Sequence, residues 1–313
     1  MATSTKSSAQ PGEPPSSGPG SPSGTPNRGG GGGDTSGENP LESAVSEVGQ
    51  AFEEAGRLSV GLITGFVLGV LAYLGEVCVL LGQAFHSLRR GIHTGDLLQQ
   101  MAVIGVDSIP IALLTTGFSG AVFSLYSAST LSDYGATSFV GGIVGLAIVR
   151  ETAPILTGVV LAARSGSAMT AEIGSMKVSE QIDALRSMAV SPVAYLVAPR
   201  LLACLLMLPV VCVLADLVGI LGGAVVGASQ GVPYVTFAES LRRFLDPSGK
   251  DIFQGLVKTV AFGAIIACVG CREGLETEGG ATGVGQATTR SVVISIVLIF
   301  IANFFLSFLM LGL

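Results

Sequence analysis

The sequence predicts an all-α integral membrane protein in which five transmembrane helices follow an interfacial N-terminal helical segment. Hydrophobic residues make up 49% of the 313 positions and charged residues only 12%, whereas soluble domains carry about 25% charged residues. Several apolar runs reach the length of about 20 residues that a helix needs to cross the hydrocarbon core. Small residues recur at intervals of four, which lets helices approach closely in lipid. We therefore expect helix contacts at Gly141, Gly145, Gly219, Gly223 and Gly227.

Charge and motif content argue against several other classes of protein. The net charge is -6 and no basic patch stands out, which argues against a nucleic-acid partner. The sequence has no phosphate-binding G-x-x-x-x-G-K-[ST] loop, and His86 and His93 have no metal-ligand spacing to any Cys. We therefore expect no catalytic residue, no metal site and no cofactor bound by this chain. The cysteines are interpreted as small buried hydrophobes: Cys78, Cys204, Cys212, Cys268 and Cys271.

The first hundred residues divide into two segments. Residues 1–41 are rich in Ser, Gly and Pro and are predicted to be a disordered tail. Their Ser-rich composition also fits an organelle transit peptide, although a dispensable tail is the simpler interpretation. Residues 42–100 are predicted to associate with the membrane surface. An amphipathic helix is predicted over Leu41–Arg57. The apolar stretch Leu58–Leu81 could span by hydropathy alone, but Glu76 lies inside it, so it could also lie along the membrane or re-enter it.

Residues 101–313 are predicted to form the transmembrane domain. Asp107 and Pro110 place the true start of its first span near Ile109. The connections Gln230–Asp251 and Arg272–Arg290 are predicted to be loops. The five spans are expected at about 104–128, 139–163, 195–228, 252–271 and 291–313.

The distribution of cationic residues predicts the orientation of these spans. Lys and Arg concentrate at the cytoplasmic ends of membrane helices. One predicted side holds Arg89, Arg90, Arg164, Lys177, Arg186, Arg200, Arg272 and Arg290, and the other holds Arg242, Arg243 and Lys250. The N-terminus and the segment between the second and third spans are therefore expected in the cytoplasm. This assignment requires that Leu58–Leu81 does not cross, and it places the C-terminus on the far side.

The adjacent charges Arg150 and Glu151 lie inside the second predicted span and mark a candidate functional site. Charged groups at membrane depth are costly and usually face a cavity or the interior of the bundle. Neighbouring residues on a helix do not face each other, so each charge needs a partner on another helix, a lipid headgroup or water. A polar point in a substrate cavity and an interhelical ion pair both remain open. Pro154 is expected to kink the helix after Glu151.

The segment Arg164–Ser191 is a polar, amphipathic insert between two apolar spans. Val178, Ile182, Leu185 and Ala189 follow helical spacing. This pattern fits a short interfacial helix, and it equally fits a helix whose polar face contacts a soluble partner.

Three stretches resemble the MlaE family of lipid-transport ABC permeases. Ala163–Arg200, which reads ARSGSAMTAEIGSMKVSEQIDALRSMAVSPVAYLVAPR, resembles the family closely. RETAP, at Arg150–Pro154, resembles the family's R-E-x-x-P element. GGATGVGQATTRSVV, at Gly279–Val293, resembles its second signature before the last helix. The resemblance covers roughly Gly56–Leu313 and leaves out the N-terminal tail.

This resemblance implies a homodimer with five spans in each subunit and an N-terminal helix that does not cross. It implies two cytoplasmic ABC ATPase subunits, which carry ATP and Mg. They engage a coupling helix between spans two and three, about Ser167–Met188. It also implies an MCE-domain lipid-binding protein on the far side, and a lipid cavity whose path is lined by Arg150, Glu151 and Pro154. The coupling helix would present Glu172, Lys177, Glu180, Gln181, Asp183 and Arg186 to the ATPase.

The expected function is therefore that of a permease subunit that moves phospholipids or similar lipids between membranes. A proton-coupled secondary transporter that uses Glu151 and a non-transporting membrane scaffold remain alternatives. The expected location is the bacterial inner (plasma) membrane, with the plastid inner envelope membrane as the alternative.

Overall fold

A computed structural model describes residues 64–65, 68–88 and 94–311. The predicted tail, residues 1–41, and the predicted amphipathic helix Leu41–Arg57 lie outside the described residues. From Gly65 onward the chain forms one compact unit. All regular secondary structure in the described ranges is helical, as the composition predicts.

The described helices are numbered here in chain order. They are α1 (Leu68–Leu88), α2 (Thr94–Ile104), α3 (Ile109–Asp133), α4 (Val140–Ala147), α5 (Ala153–Leu161), α6 (Ser167–Val178), α7 (Gln181–Ser187), α8 (Ala198–Ser229), α9 (Tyr234–Phe244), α10 (Lys250–Leu275) and α11 (Gly280–Leu311). Two π-helical turns, Ile148–Thr152 and Ala162–Gly166, join α4, α5 and α6. The second span is thus a single helical rod, Thr137–Val178.

Six of the described helices are long and apolar enough to cross a membrane. The sixth, beyond the five predicted spans, is α1. Tyr73 of α1 donates a hydrogen bond to Glu273 near the end of α10. The later part of α1 borders Ser191 and Val193, where the chain enters α8. Both contacts lie at the end of the bundle predicted to be cytoplasmic, which favours a helix lying along that surface. The count of five crossings stays a prediction.

Helix α8 runs through the middle of the bundle and packs against α3 along glycines. A Cβ added at Gly222 would lie 2.5 Å from the carbonyl oxygen of Gly117, and one at Gly120 would overlap the backbone of Gly219. Side chains at these positions would separate the two helices, so glycine makes the contact possible. Gly219, Gly223 and Gly227 of α8 lie against Thr116, Gly120 and Ser124 of α3 in the same order, so the two helices run parallel.

All five glycines singled out from the sequence lie in helix contacts. Gly141 and Gly145 of α4 lie against α9. Gly219, Gly223 and Gly227 of α8 lie against Thr116, Val144 and Ser124, at 3.0–3.1 Å from an added Cβ.

The prediction of a loop over Gln230–Asp251 was wrong, because the segment contains α9. This helix buries Phe237 against α4, and the backbone N–H of Gly142 donates a hydrogen bond to Ser240 Oγ at 2.9 Å. The apolar residues of α9 are spaced three or four apart, which is a helical pattern. Polar residues interrupt this pattern, so a search for long apolar runs does not detect the helix.

Two further boundaries differ from the prediction. The span expected to end at residue 163 continues as a helix to Val178. The predicted loop Arg272–Arg290 is mostly helical, because α10 extends to Leu275 and α11 begins at Gly280. Helices in this bundle therefore extend past their apolar stretches, where polar side chains continue the same helix in contact with neighbouring helices.

Candidate ion-pair site and polar insert

The site begins with a local defect in the second span. Pro154 has no backbone N–H, so it cannot donate to the carbonyl of Arg150, its normal α-helical partner. The helix forms a π-helical turn over Ile148–Thr152, where Ala153 N–H donates to the carbonyl of Ile148. The structure thus has a π-helical turn, a form often found at functional sites, directly before Pro154. The kink expected at Pro154 stays a prediction.

Helix α10 approaches this turn closely because it has a glycine opposite it. A Cβ added at Gly255 would lie 2.5 Å from the carbonyl oxygen of Val149 and 3.3 Å from Pro154 Cγ. The close approach brings Asp251 and Lys258, about one turn on either side of Gly255, to the two charges of the π-helical turn.

Arg150 pairs with Asp251 at the start of α10. Arg150 Nε donates to Asp251 Oδ1 at 2.6 Å, and a terminal guanidinium nitrogen contacts the same oxygen. The Asp251 side chain is 1% exposed and that of Arg150 is 37% exposed. The other Asp251 oxygen accepts the backbone N–H of Asp246 at 2.7 Å. Outside the span, the N–H of Ser248 donates to Asp246 and holds the pKa of that exposed carboxyl below its usual value.

Glu151 is held by three partners on two other helices. Lys258 Nζ lies 2.6 Å from Glu151 Oε1. From α11, Asn303 Nδ2 donates to Oε2 and Ser307 Oγ donates to Oε1, each at 2.9 Å. Lys258 is 3% exposed, whereas Glu151 is 43% exposed. Of the two arrangements left open by the sequence, the interhelical ion pair is present. The half-exposed carboxylate also leaves Glu151 reachable from outside the network, and its role in a substrate path stays a prediction.

Sequence reasoning missed four partners: Asp251, Lys258, Asn303 and Ser307. Lys258 lies inside a predicted apolar span, so the criterion that selected Arg150 and Glu151 also applies to it. Asn303 and Ser307 are four residues apart in the last span and therefore share a helix face. The pairing itself had no sequence signal, because more than 100 residues separate the partners.

The insert between the second and third spans is not the single helix that was expected over Ser167–Met188. It breaks after Val178, where Glu180 adopts a left-handed backbone conformation with φ of 61°. Ala189 is also left-handed, with φ of 59°. Val178 therefore lies on α6 and Ile182 on α7, so the four apolar positions do not form one helix face. Buried Ile182 anchors α7 to the core.

Most of the residues expected to face a partner lie on the surface of this insert. Lys177 and Arg186 both pair with Asp183, at 3.4 and 3.2 Å. Gln181 donates to Ser179 Oγ at 3.0 Å. Glu180, Gln181, Asp183 and Arg186 are exposed. Docking would require such exposure.

Glu172 differs from its neighbours in the insert because its partner lies outside the insert. Its carboxylate lies 2.8 Å from Arg200 at the start of α8. Arg200 is 4% exposed and also donates to the carbonyl of Leu196 at 2.8 Å. The structure makes it the buried link between α6 and α8.

A second charged cluster joins α1, α10 and α11 at the same end of the bundle. Buried Glu273 accepts hydrogen bonds from Arg272 at 2.8 Å and from Tyr73 at 3.1 Å, and it forms an ion pair with Arg290 at 2.8 Å. Arg272 also pairs with Glu76 and lies over the Tyr73 ring. Arg290 belongs to the second sequence signature, and its pair with Glu273 links α11 to α10.

The cysteines and Asp216 of the bundle do not form a further candidate site. Four cysteines are buried but Cys78 is exposed, so the interpretation of all five as buried residues was wrong at that position. Asp216 is buried in α8, and its Oδ1 has no hydrogen-bond partner within the described residues. No group of three His, Cys, Asp or Glu side chains suited to a metal ion occurs in the part of the chain that the structure describes.

Comparison with known proteins identifies similar chains. The family model described as Permease MlaE matches residues 97–309. A probable ABC transporter permease protein of Synechocystis sp. is 47% identical over 233 residues, which cover 74% of this chain and 88% of that protein. Protein TRIGALACTOSYLDIACYLGLYCEROL 1, chloroplastic, of Arabidopsis thaliana is 39% identical over 234 residues, covering 74% of this chain and 66% of that protein. A probable ABC transporter permease protein of Rickettsia felis is 37% identical over 224 residues, covering 70% and 85%.

Proposed function

This chain belongs to the MlaE permease family, a family of ABC transporter permeases, and we propose that it moves phospholipids or similar lipids between membranes. ATP hydrolysis on a separate subunit powers this movement. The observation that carries the proposal is the half-exposed Glu151 within a buried polar network at membrane depth. A permease that carries an amphiphile needs such a polar group beside apolar helix surfaces. The name of the Arabidopsis relative, which contains that of a galactolipid, also supports a lipid substrate.

The helical rod Thr137–Val178 supports a mechanical link between the ATPase and this site. It contains both Glu151 and Glu172 in one 42-residue helix, about 30 Å apart at 1.5 Å per residue. Force applied to α6 reaches the Glu151 network without crossing a loop. The pair between Glu172 and Arg200 passes the same movement to α8.

The proposed assembly is a homodimer with two cytoplasmic ATPase subunits that bind ATP and Mg. The ATPases dock on the exposed side chains of the insert, and an MCE-domain lipid-binding protein docks on the far side. The bacterial inner (plasma) membrane is the proposed location, in line with the relatives from Synechocystis and Rickettsia. The chloroplastic relative supports the plastid inner envelope membrane as the alternative.

Lipid transfer by reconstituted protein tests this proposal. The chain is placed in liposomes with and without its ATPase partner, and transfer of a fluorescent phospholipid to acceptor vesicles is measured. We expect transfer only with the partner and hydrolysable ATP. Transfer that proceeds without ATP and follows an imposed proton gradient would instead establish a secondary transporter, with Glu151 as the proton carrier. No transfer under any condition would favour a scaffold.

A further inference from the structure

We propose that Lys258 is a positioning residue that replaces the hydrogen-bond donor missing at Pro154 and thereby holds the π-helical turn that carries Glu151. Its ammonium group lies 2.8 Å from the carbonyl oxygen of Arg150. That carbonyl is the one to which the backbone N–H of residue 154 would donate in a regular α-helix. The side chain of α10 thus supplies a donor that the second span lacks.

The three donors of the Lys258 ammonium group are all used. One faces the carbonyl of Arg150, one faces Glu151 Oε1 at 2.6 Å, and one faces Ser307 Oγ at 2.8 Å. A lysine ammonium has three donors and no acceptor. The buried position excludes water as a substitute partner, since Lys258 is almost fully covered. One cation therefore satisfies a backbone carbonyl, a carboxylate and a hydroxyl from two other helices.

This double role distinguishes Lys258 from a simple counter-ion. A counter-ion alone would need to reach only the Glu151 carboxylate. Lys258 also contacts the backbone, and it can do so because Gly255 allows α10 to lie against the turn. Loss of the ammonium group leaves the Arg150 carbonyl short of a donor in a low-dielectric region, where an unpaired polar group is costly. The turn then opens and Glu151 loses its defined position.

The inference rests on the proposed function only for the role of Glu151 in transport; the role of Lys258 at the turn does not depend on it. The test therefore follows the turn itself, by amide hydrogen exchange of peptides covering residues 147–158. It uses the full chain with its ATPase partner in lipid nanodiscs. We expect Lys258→Met to accelerate exchange in this segment about tenfold.

The decisive arm combines this variant with Pro154→Ala, which restores a backbone donor. In that background we expect Lys258→Met to accelerate exchange by less than about threefold, because the carbonyl no longer depends on Lys258. Pro209→Ala is the matched control, since Pro209 lies inside α8 and should leave the tenfold effect intact. Equal acceleration with and without Pro154→Ala would overturn the proposal.

Two further variants separate the backbone role from the charge. Lys258→Met should still accelerate exchange about tenfold in a Glu151→Gln background; disappearance of the effect there would reduce Lys258 to a counter-ion. Lys258→Gln keeps an N–H donor without the charge and should stay within about threefold of the parent chain. This variant also decides the question if Lys258→Met does not assemble. Exchange in Lys258→Gln as fast as in an unfolded segment would contradict the inference. Lipid transfer is measured separately, so its loss does not bear on this result.

Discussion

Neutralising Asp251 by Asp251→Asn should destabilise the bundle more than any other single carboxylate change at the far side. Asp251 is almost completely buried and accepts hydrogen bonds from the Arg150 guanidinium and from the backbone N–H of Asp246. The Asn side chain can keep one of these contacts, but Arg150 then lies at membrane depth without a counter-charge.

The magnitude follows from the burial of the two partners. Breaking a fully buried ion pair costs about 3–5 kcal/mol. Arg150 is 37% exposed, so solvent and lipid headgroups recover part of that loss. We therefore expect a loss of about 2–3 kcal/mol in the free energy of unfolding.

The assay is thermal or denaturant-induced unfolding of the protein in detergent, with two comparisons. Asp133→Asn changes an exposed carboxylate at the end of α3 and should cost less than about 0.5 kcal/mol. Arg150→Met combined with Asp251→Asn should recover much of the loss, because both charges are then absent. Equal stability of the Asp251 and Asp133 variants would refute the reasoning, and so would simple additivity of the Arg150 and Asp251 changes.

Three further predictions follow from the same contacts. Glu151→Gln should abolish at least about 90% of lipid transfer, because the amide no longer neutralises Lys258. The purified complex should keep its size in chromatography, because the amide still bonds to α11. Collapse of the dimer would assign the pair a purely structural role. Asp183→Lys should reduce co-purification of the ATPase at least about threefold, because three cations then replace a cluster of two cations and one carboxylate. Unchanged co-purification would contradict docking at the insert. Gly120→Ala should lower the free energy of unfolding by about 1–3 kcal/mol, because its Cβ would overlap the backbone of Gly219. Gly285→Ala is the control, because Gly285 has open space around it, and it should change stability little.

The existence of the long helices could be predicted from local properties. Length and apolarity are sufficient to require a helix in lipid, because every backbone group must be satisfied within the segment. The start of α3 near Ile109 followed from Asp107 and Pro110 in the same way. Helix α9 escaped this reasoning because its amphipathic pattern is short and its helical form depends on packing against Gly141 and Gly145.

The candidate site was predictable only by half. Arg150 and Glu151 stood out because charge is rare inside an apolar run. Their partners Asp251 and Lys258 also carry charge, but one was assigned to a loop and the other lay unremarked in a span. The insert illustrates the opposite error, since apolar spacing over Val178 and Ile182 predicted a continuous helix that the left-handed backbone at Glu180 interrupts.

By itself the sequence determined that this chain is a helical membrane protein, that its second span carries two charges, and that its motifs are those of an MlaE permease. Each of these properties depends on residues that are close together along the chain. Only the tertiary structure decided that Arg150 pairs with Asp251, that Glu151 pairs with Lys258, and that one ammonium group also supports the turn before Pro154. The physical reason is that helix packing brings distant residues together, and neighbours across a bundle leave no periodic signal in either helix alone.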